Sequence, residues 1–139
     1  MLIVLDTNVL VSGLLNARGA PGRILDLVLA GKIALLFDDR ILAEYRDVLA
    51  RPKFRFDASH IASLLTFLQL SGKHIVAPPL PRIEDVEILD NDDLPFAEVA
   101  FAGRATTVVT GNVKHFTFLA KYQMPVLTPR QFMETWKIH

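Results

Sequence analysis

The sequence predicts an α/β protein with three layers (α/β/α), in which helices cover both faces of a central, mainly parallel sheet of about five strands. Short aliphatic runs without polar alternation, such as Met1–Leu5, are typical of strands buried on both faces. Amphipathic segments such as Arg23–Ala30 separate these runs, and this alternation favours parallel strand order. The chain has 139 residues, of which 51% are hydrophobic. We therefore expect a single domain over residues 1–139 with a sizeable core.

In the first half of the chain, capping and helix-breaking residues mark the element boundaries. Gly31 ends the helix that begins at Arg23. Asp38 or Asp39 can cap the next helix, which ends before Pro52. The predicted elements are, in chain order, a strand at 1–5, a helix at 9–15, a loop at 16–22, a helix at 23–30, a strand at 33–37, the helix that ends before Pro52, a helix at 57–71 and a strand at 74–77.

In the second half, prolines and β-branched residues determine the prediction. Pro78, Pro79 and Pro81 predict an extended linker, because proline fixes φ and lacks an N–H donor. Pro129 suits the first turn of a C-terminal helix. The other predicted elements are a helix after Asp93 that runs to Gly103, a β-branched strand at 106–109, a turn at 110–112 and a strand at 125–127.

The composition excludes several classes of protein. Cysteine is absent, which excludes disulfides and thiolate chemistry and leads us to expect a cytoplasmic location. No apolar run approaches the ~20 residues of a membrane span, so no membrane partner is expected. Metal ligands must then come from Asp, Glu, Asn or His, which favours hard ions such as Mg²⁺ or Mn²⁺ over structural zinc.

The formal net charge is zero, so only the distribution of charge is informative. The stretch from Ile83 to Glu98 is acidic and contains no Lys or Arg, whereas the stretch from Arg40 to Arg55 is rich in basic residues. The first could hold cations and the second could face phosphates, although two solvated surface patches explain the charges equally well. The acidic residues are Glu84, Asp85, Glu87, Asp90, Asp92, Asp93 and Glu98.

Four residues are candidates for chemistry because each follows a predicted strand or lies on a helix that follows one: Asp6, Glu44, Asp93 and Asn112. The carboxyl ends of parallel strands meet at one edge of a sheet, so these residues are expected to converge there. Carboxylates that lie close together repel each other unless cations neutralise them. Such a cluster can bind divalent ions, activate water and stabilise phosphoryl oxygens.

Each candidate also has a purely structural interpretation. Asp6 and Asp93 could cap the helices that follow them. Glu44 could be a surface partner of Arg40 or of another neighbouring cation. The segment 110–112 could be only a turn, because Gly and Asn tolerate left-handed backbone. Local sequence alone leaves these alternatives open.

Several segments, in order, resemble the PIN-domain family, and most closely the toxin-like proteins of prokaryotic toxin–antitoxin systems. The resemblance covers essentially the whole chain. It includes the helix with Glu44, together with the opening Ile3-Val4-Leu5-Asp6-Thr7-Asn8-Val9-Leu10, the segment Asp93-Leu94-Pro95-Phe96-Ala97-Glu98-Val99-Ala100, the segment Val108-Val109-Thr110-Gly111-Asn112-Val113-Lys114-His115-Phe116 and the ending Pro125-Val126-Leu127-Thr128-Pro129-Arg130-Gln131-Phe132.

The resemblance implies a metal-dependent ribonuclease of PIN-like fold. Carried over residue by residue, Asp6, Glu44 and Asp93 would be the acidic residues that hold Mg²⁺ or Mn²⁺. Supporting residues would be Thr7, Asn8 and Thr110, and candidate substrate-binding residues are Arg40, Arg46, Lys114 and His115.

The fourth acidic position departs from the family pattern. Many members have Asp at the position of Asn112 or of His115, and this chain has neither. Asn112 can still offer an oxygen ligand, but it carries no charge and cannot act as a base.

Our main hypothesis is an endoribonuclease toxin whose partners are RNA, an antitoxin protein and, in a homodimer, a second copy of the chain. The alternative is a PIN-fold module with little or no catalysis that binds RNA or a partner protein. A haloacid-dehalogenase-like phosphatase is disfavoured, because it would need a second Asp where this chain has Asn8.

Overall fold

In the part of the chain that the structure describes, five parallel strands form one sheet, in the order β3-β2-β1-β4-β5. This computed structural model describes residues 1–84, 86–87 and 91–138; Asp85 and Asp90 of the acidic stretch lie outside them. The strands are β1 (Leu2–Leu5), β2 (Ala34–Phe37), β3 (Lys73–His74), β4 (Thr107–Val109) and β5 (Val126–Leu127). The helices are α1 (Thr7–Leu15), α2 (Ala20–Leu29), α3 (Asp39–Leu49), α4 (Ala58–Ser71), α5 (Leu94–Ala102) and α6 (Pro129–Ile138).

The predicted three-layer α/β/α architecture is confirmed. Helix α2 packs against α1 and α6, while α5 lies over β1, β2 and β4, and α4 contacts α3 and β2. The central strands are buried on both faces, as their unbroken aliphatic sequences predict: Ile3 and Val4 of β1 are fully buried. The core therefore lies on both sides of β1.

The strand order places a topological switch beside β1. The chain runs from β1 outward through β2 to β3, and then returns to the other side of β1 to add β4 and β5. In open α/β sheets, ligands bind outside the carboxyl ends of the strands where the order reverses. Here that point is the gap beyond the last residues of β1 and β4, Leu5 and Val109, which are paired in register.

The loop predicted at 16–22 is wrong in its second half, because α2 begins at Ala20. Pro21 lies in the first turn of the helix, where its missing N–H is not needed. Gly22 is also inside the helix, and a Cβ there would lie 2.4 Å from the carbonyl oxygen of Ala17. Pro21 and Gly22, which predict a loop in the sequence, thus belong to the first turn of a helix that packs closely against the preceding backbone.

Two further elements differ from the prediction. The strand expected at 74–77 is β3 at Lys73–His74, because β2 ends at Phe37 and offers no longer partner. A 3-10 helix at Val113–Tyr122 was not predicted; its buried residues include Phe116 and Leu119. No helix within the described ranges is long and apolar enough to cross a membrane.

Candidate active site

Asp6 and Thr110 lie at the carboxyl ends of adjacent strands, on either side of the topological switch. The backbone N–H of Asp6 donates to the carbonyl of Val109 at 2.9 Å, which fixes the point where the chain leaves β1. The hydroxyl of Thr110, which is fully buried, donates to Asp6 Oδ2 at 2.7 Å and accepts from the Asn112 N–H at 2.9 Å. One hydroxyl thus orients the Asp6 carboxylate and ties the segment after β4 to it.

Glu44 reaches the same edge of the sheet from α3. Thr7 is the first residue of α1, and its hydroxyl donates to Glu44 Oε2. The next residue on α3, Tyr45, is buried, and its hydroxyl donates to the carbonyl of Leu5 at 2.5 Å. The two bonds hold α3 against the end of β1 and direct the Glu44 carboxylate towards Asp6.

Asp93 precedes α5 and faces the segment that follows β4. Its Oδ2 lies 3.2 Å from His115 Nδ1. The side-chain amide nitrogen of Asn112 lies 3.3 Å from the same ring nitrogen. His115 therefore lies between the third carboxylate and the neutral residue at the fourth position.

The electrostatics of this edge disfavour ionised carboxylates. Burial raises the pKa of Asp6, opposed by the hydrogen bonds from Thr110 and the Thr7 backbone and by the charge of His115. Burial likewise raises the pKa of Glu44, and the negative charges of Asp6 and Asp92 raise it further, against the Thr7 hydrogen bond and the Arg51 charge. Carboxyl groups whose pKa is raised by burial, and for Glu44 also by neighbouring negative charge, are stabilised in their ionised forms by an added cation.

These side chains line one cleft of about 290 Å³ at the carboxyl edge of the sheet. Two exposed cations and a half-buried aromatic ring form a further part of the lining, here called the wall, so that the cleft carries both signs of charge. The acidic and polar lining consists of Asp6, Thr7, Asn8, Glu44, Asp92, Asp93, Asn112 and His115, and the wall consists of Arg51, Lys53 and Phe54.

A family model described as "PIN domain" matches residues 2–114, which include every one of these lining residues except His115. The chain belongs to the PIN-domain family. It is also similar to the uncharacterized protein MJ1680 of Methanocaldococcus jannaschii, with 28% identity over 144 aligned positions that cover 97% of this chain and 91% of that protein.

Proteins of the PIN family are generally nucleases, which are hydrolases, and they usually use divalent metal ions. Membership therefore indicates a nuclease-type function for this chain, and a PIN domain fits the binding of RNA.

The capping interpretations of two acids in this PIN domain are wrong. Asp6 stands at the N-cap of α1 and Asp93 at the N-cap of α5, but neither side chain makes a capping hydrogen bond to its described helix. The surface pairing of Glu44 with Arg40 is wrong as well, because Arg40 contacts Asp38 and Glu98, each at 2.7 Å. The true cap of α3 is Asp38, whose side chain accepts from the Ile41 N–H.

The predicted substrate-binding residues fall in different places. His115 lines the cleft, whereas Arg40 holds two carboxylates outside it. Arg46 lines an apolar groove between α3 and α4. Lys114 is exposed and does not line the cleft.

Sequence reasoning missed the role of four cleft residues. The sequence indicates Asp92 only as a member of the acidic stretch, yet it lines the cleft and lies close enough for its charge to raise the pKa of Glu44. It indicates Arg51 and Lys53 only as members of the basic stretch and gives no role to Phe54, although all three line the cleft. The signal was present in the alternation of cationic and aromatic residues before Asp57, but nothing local indicated which way this segment faces.

The donor set fits a hard divalent ion by its chemistry and its charge. Oxygen ligands from carboxylates suit Mg²⁺ and Mn²⁺, and burial raises the pKa of Asp6 and of Glu44, so that a bound cation would stabilise their ionised forms. Among residues 1–84, 86–87 and 91–138, however, no three His, Asp or Glu side chains are arranged to hold a metal ion. In this arrangement the carboxylates instead contact Thr110, Thr7 and His115.

Proposed function

We propose that this PIN domain is a metal-dependent endoribonuclease that hydrolyses RNA phosphodiester bonds. The observation that carries the proposal is the composition of the cleft. Asp6, Glu44 and Asp93 come from distant parts of the sequence and line one cleft, which the exposed cations Arg51 and Lys53 also line. The acids can share a divalent cation, and the cations can contact phosphates. This combination suits the metal-dependent cleavage of a polyanionic substrate.

In this proposal, Asp6, Glu44 and Asp93 hold Mg²⁺ or Mn²⁺. A divalent ion at such a site activates water and stabilises phosphoryl oxygens. Thr110 and Thr7 keep the first two carboxylates in place through hydroxyl hydrogen bonds, and thereby limit the rearrangement that ion binding requires.

Asn112 would contribute a neutral oxygen ligand or a hydrogen bond to water. It replaces a carboxylate by an amide, so the site carries one negative charge fewer than a four-acid cluster. A second divalent ion depends most on that missing charge, and we expect binding of a second ion to be weakened first.

A catalytically weak module that binds RNA or a partner protein is the second candidate. Two observations favour it: Asn112 brings no charge, and the described side chains are arranged without a three-residue metal cluster. The fold and the cationic wall would then serve binding alone.

The biological role we propose is that of a cytoplasmic toxin, paired with an antitoxin protein and acting as a homodimer. The resemblance in sequence to toxin-like members of the family supports this role. In that setting an RNA substrate and a protein inhibitor would compete for access to the cleft.

RNA cleavage by the purified protein tests the proposal. We expect cleavage of a labelled RNA with Mn²⁺ and none with EDTA. Asp93→Asn and Asp6→Asn should reduce the rate by about 100-fold or more, since even outer-shell partners of metal ligands are worth 10–100-fold. Asp26→Asn is the matched control, because Asp26 is an exposed acid on α2 outside the cleft and should leave the rate unchanged.

Calorimetry separates the two candidates. Mn²⁺ binding that is lost in Asp6→Asn and kept in Asp26→Asn supports the nuclease, whereas no measurable Mn²⁺ binding supports the binding module. Cleavage that survives both EDTA and Asp93→Asn would contradict the metal-dependent mechanism.

A further inference from the structure

The segment between α3 and α4 alternates cationic and aromatic side chains: Arg51, Lys53, Phe54, Arg55 and Phe56. It contains a 3-10 helix at Pro52–Phe54, and Arg55 follows with left-handed backbone at a φ of 55°. The segment is therefore a tight turn rather than an extended linker, and a tight turn sends neighbouring side chains in different directions.

The turn divides its side chains between two surfaces. Arg51, Lys53 and Phe54 line the active-site cleft, whereas Phe56 lines the apolar groove between α3 and α4. Arg55 is exposed and lines neither of them. We call Arg51, Lys53 and Phe54 the cleft wall.

The Phe54 ring is half-buried and packs against the core, and two neighbours of the same segment contact it. Phe56 stacks against it with a centroid distance of 5.6 Å and an interplanar angle of 19°. The Lys53 ammonium lies 5.1 Å from the centroid of the Phe54 ring, at cation–π range. Lys53 is exposed and has a flexible stem, so it can leave the ring at a small free-energy cost.

The wall is also coupled to the acids by charge. Burial raises the pKa of Glu44, and the positive charge of Arg51, which lines the same cleft, acts against that rise. The contact of Arg51 with Asp47 is 3.5 Å long and exposed on both sides, which makes that pair weak and easily exchanged. A phosphate that enters the cleft can therefore recruit Arg51 from Asp47.

From these contacts we infer that the cleft wall is the nucleotide-binding surface that positions RNA in the site. Phe54 stacks on the base of an unpaired nucleotide, and Lys53 moves from the ring to a backbone phosphate as the base takes its place. Arg51 binds a second phosphate, nearer to the acids. The inference rests on the proposed function, to which it adds the residues that bind the substrate and a requirement for an unstacked base.

The test measures binding rather than cleavage. Every variant is made in an Asp93→Asn background so that the probe stays intact. The probes are a fluorescein-labelled single-stranded RNA of about 12 nucleotides, a length that spans a typical single-strand site, and an abasic ribose-phosphate strand of equal length. Fluorescence anisotropy gives the affinity for each probe over a range of salt concentrations.

We expect the parent to prefer the base-bearing probe. Phe54→Leu should weaken binding of that probe by about 5- to 150-fold, the range for loss of one stacked base, and should remove the preference over the abasic strand. Phe101→Leu is the matched control, because Phe101 is an exposed ring elsewhere on the surface and should change neither value. Equal affinities of Phe54→Leu and Phe101→Leu would overturn the inference.

Salt dependence tests the cations independently of the half-buried ring. Lys53→Ala should lower the slope of log affinity against log salt by about 0.7, the value for one phosphate contact on a single strand. Arg55→Asn removes the same charge two residues away, and Asn tolerates the left-handed backbone at that position. This variant should leave the slope unchanged. Identical slopes for the two variants would exclude a phosphate contact by Lys53.

The two proposals can fail separately. If the native chain cleaves RNA in a metal-dependent way and Phe54→Leu and Lys53→Ala bind RNA as the parent does, the role of the cleft wall is refuted and the nuclease function stands. If these variants lose RNA binding but the native chain does not cleave RNA, the role of the cleft wall stands and the nuclease function is refuted.

Discussion

Tyr45→Phe is the most direct test of how α3 is attached to the site. The substitution removes one oxygen, the hydroxyl that donates to the Leu5 carbonyl at 2.5 Å. The ring of Tyr45 is 1% exposed, so Phe retains its apolar packing and leaves only a small void. The change therefore isolates one buried hydrogen bond between α3 and the last residue of β1.

The expected cost follows from burial. Loss of the donor leaves a buried backbone acceptor without that partner, which costs about 1–3 kcal/mol in the free energy of unfolding. At roughly 3 °C per kcal/mol for a chain of this size, the melting temperature should fall by about 3–9 °C. Because Glu44 is the neighbouring residue, Mn²⁺ binding should weaken as well.

Urea denaturation at pH 7 with EDTA, followed by circular dichroism, measures the cost. Tyr122→Phe is the matched control: its hydroxyl also donates to a backbone carbonyl, that of Pro81 at 2.6 Å, but the bond is exposed to water. We expect the control to lose no more than about 0.5–1 kcal/mol. An equal loss in both variants would refute the idea that burial makes the Tyr45 bond important.

Three further predictions concern stability. Burial raises the pKa of Asp6, so the contribution of Asp6 to the free energy of unfolding is complete below about pH 4 and is lost as the pH rises through the folded-state pKa. Metal-free Asp6→Asn should therefore gain stability relative to the native chain between pH 4 and pH 8 in urea titrations. A difference in stability between the two proteins that does not change with pH would contradict this. Gly22→Ala should lower the free energy of unfolding by about 1–3 kcal/mol in thermal melts, because the added Cβ would lie 2.4 Å from the Ala17 carbonyl oxygen. A gain in stability, as is usual for Gly→Ala inside a helix, would show that the backbone at Ala17 moves to accommodate the Cβ. Glu98→Gln should cost about 1–2 kcal/mol in urea, less than for a fully buried pair since Arg40 is 46% exposed, and high salt should reduce the difference.

Most of the fold was predictable because its signals are local. Unbroken aliphatic runs gave the central strands, and Asp57 and Asp38 cap the helices they precede. The errors came where tertiary packing overrides a local signal. Gly22 and its neighbouring proline look like a loop, yet close contact with Ala17 makes them part of a helix.

The candidate site was predictable only in part. Asp6, Glu44 and Asp93 could be named because each follows a strand or lies on a helix that does, and the structure places all three in one cleft. Their roles as metal ligands stay predictions. Lys53 and Phe54 could not be assigned from sequence, because the direction of their side chains depends on a turn whose geometry no local pattern specifies.

The position of β1 has a consequence for the order in which the protein is made. Of the five strands described, β1 leaves the ribosome before the others, yet its neighbour β4 follows about a hundred residues later. Until then Asp6 lacks the Thr110 hydroxyl that orients it, and Asp93 lacks His115. A partly synthesised chain therefore has no complete cleft. Any activity of this site can therefore begin only after the residues up to His115 are free to fold.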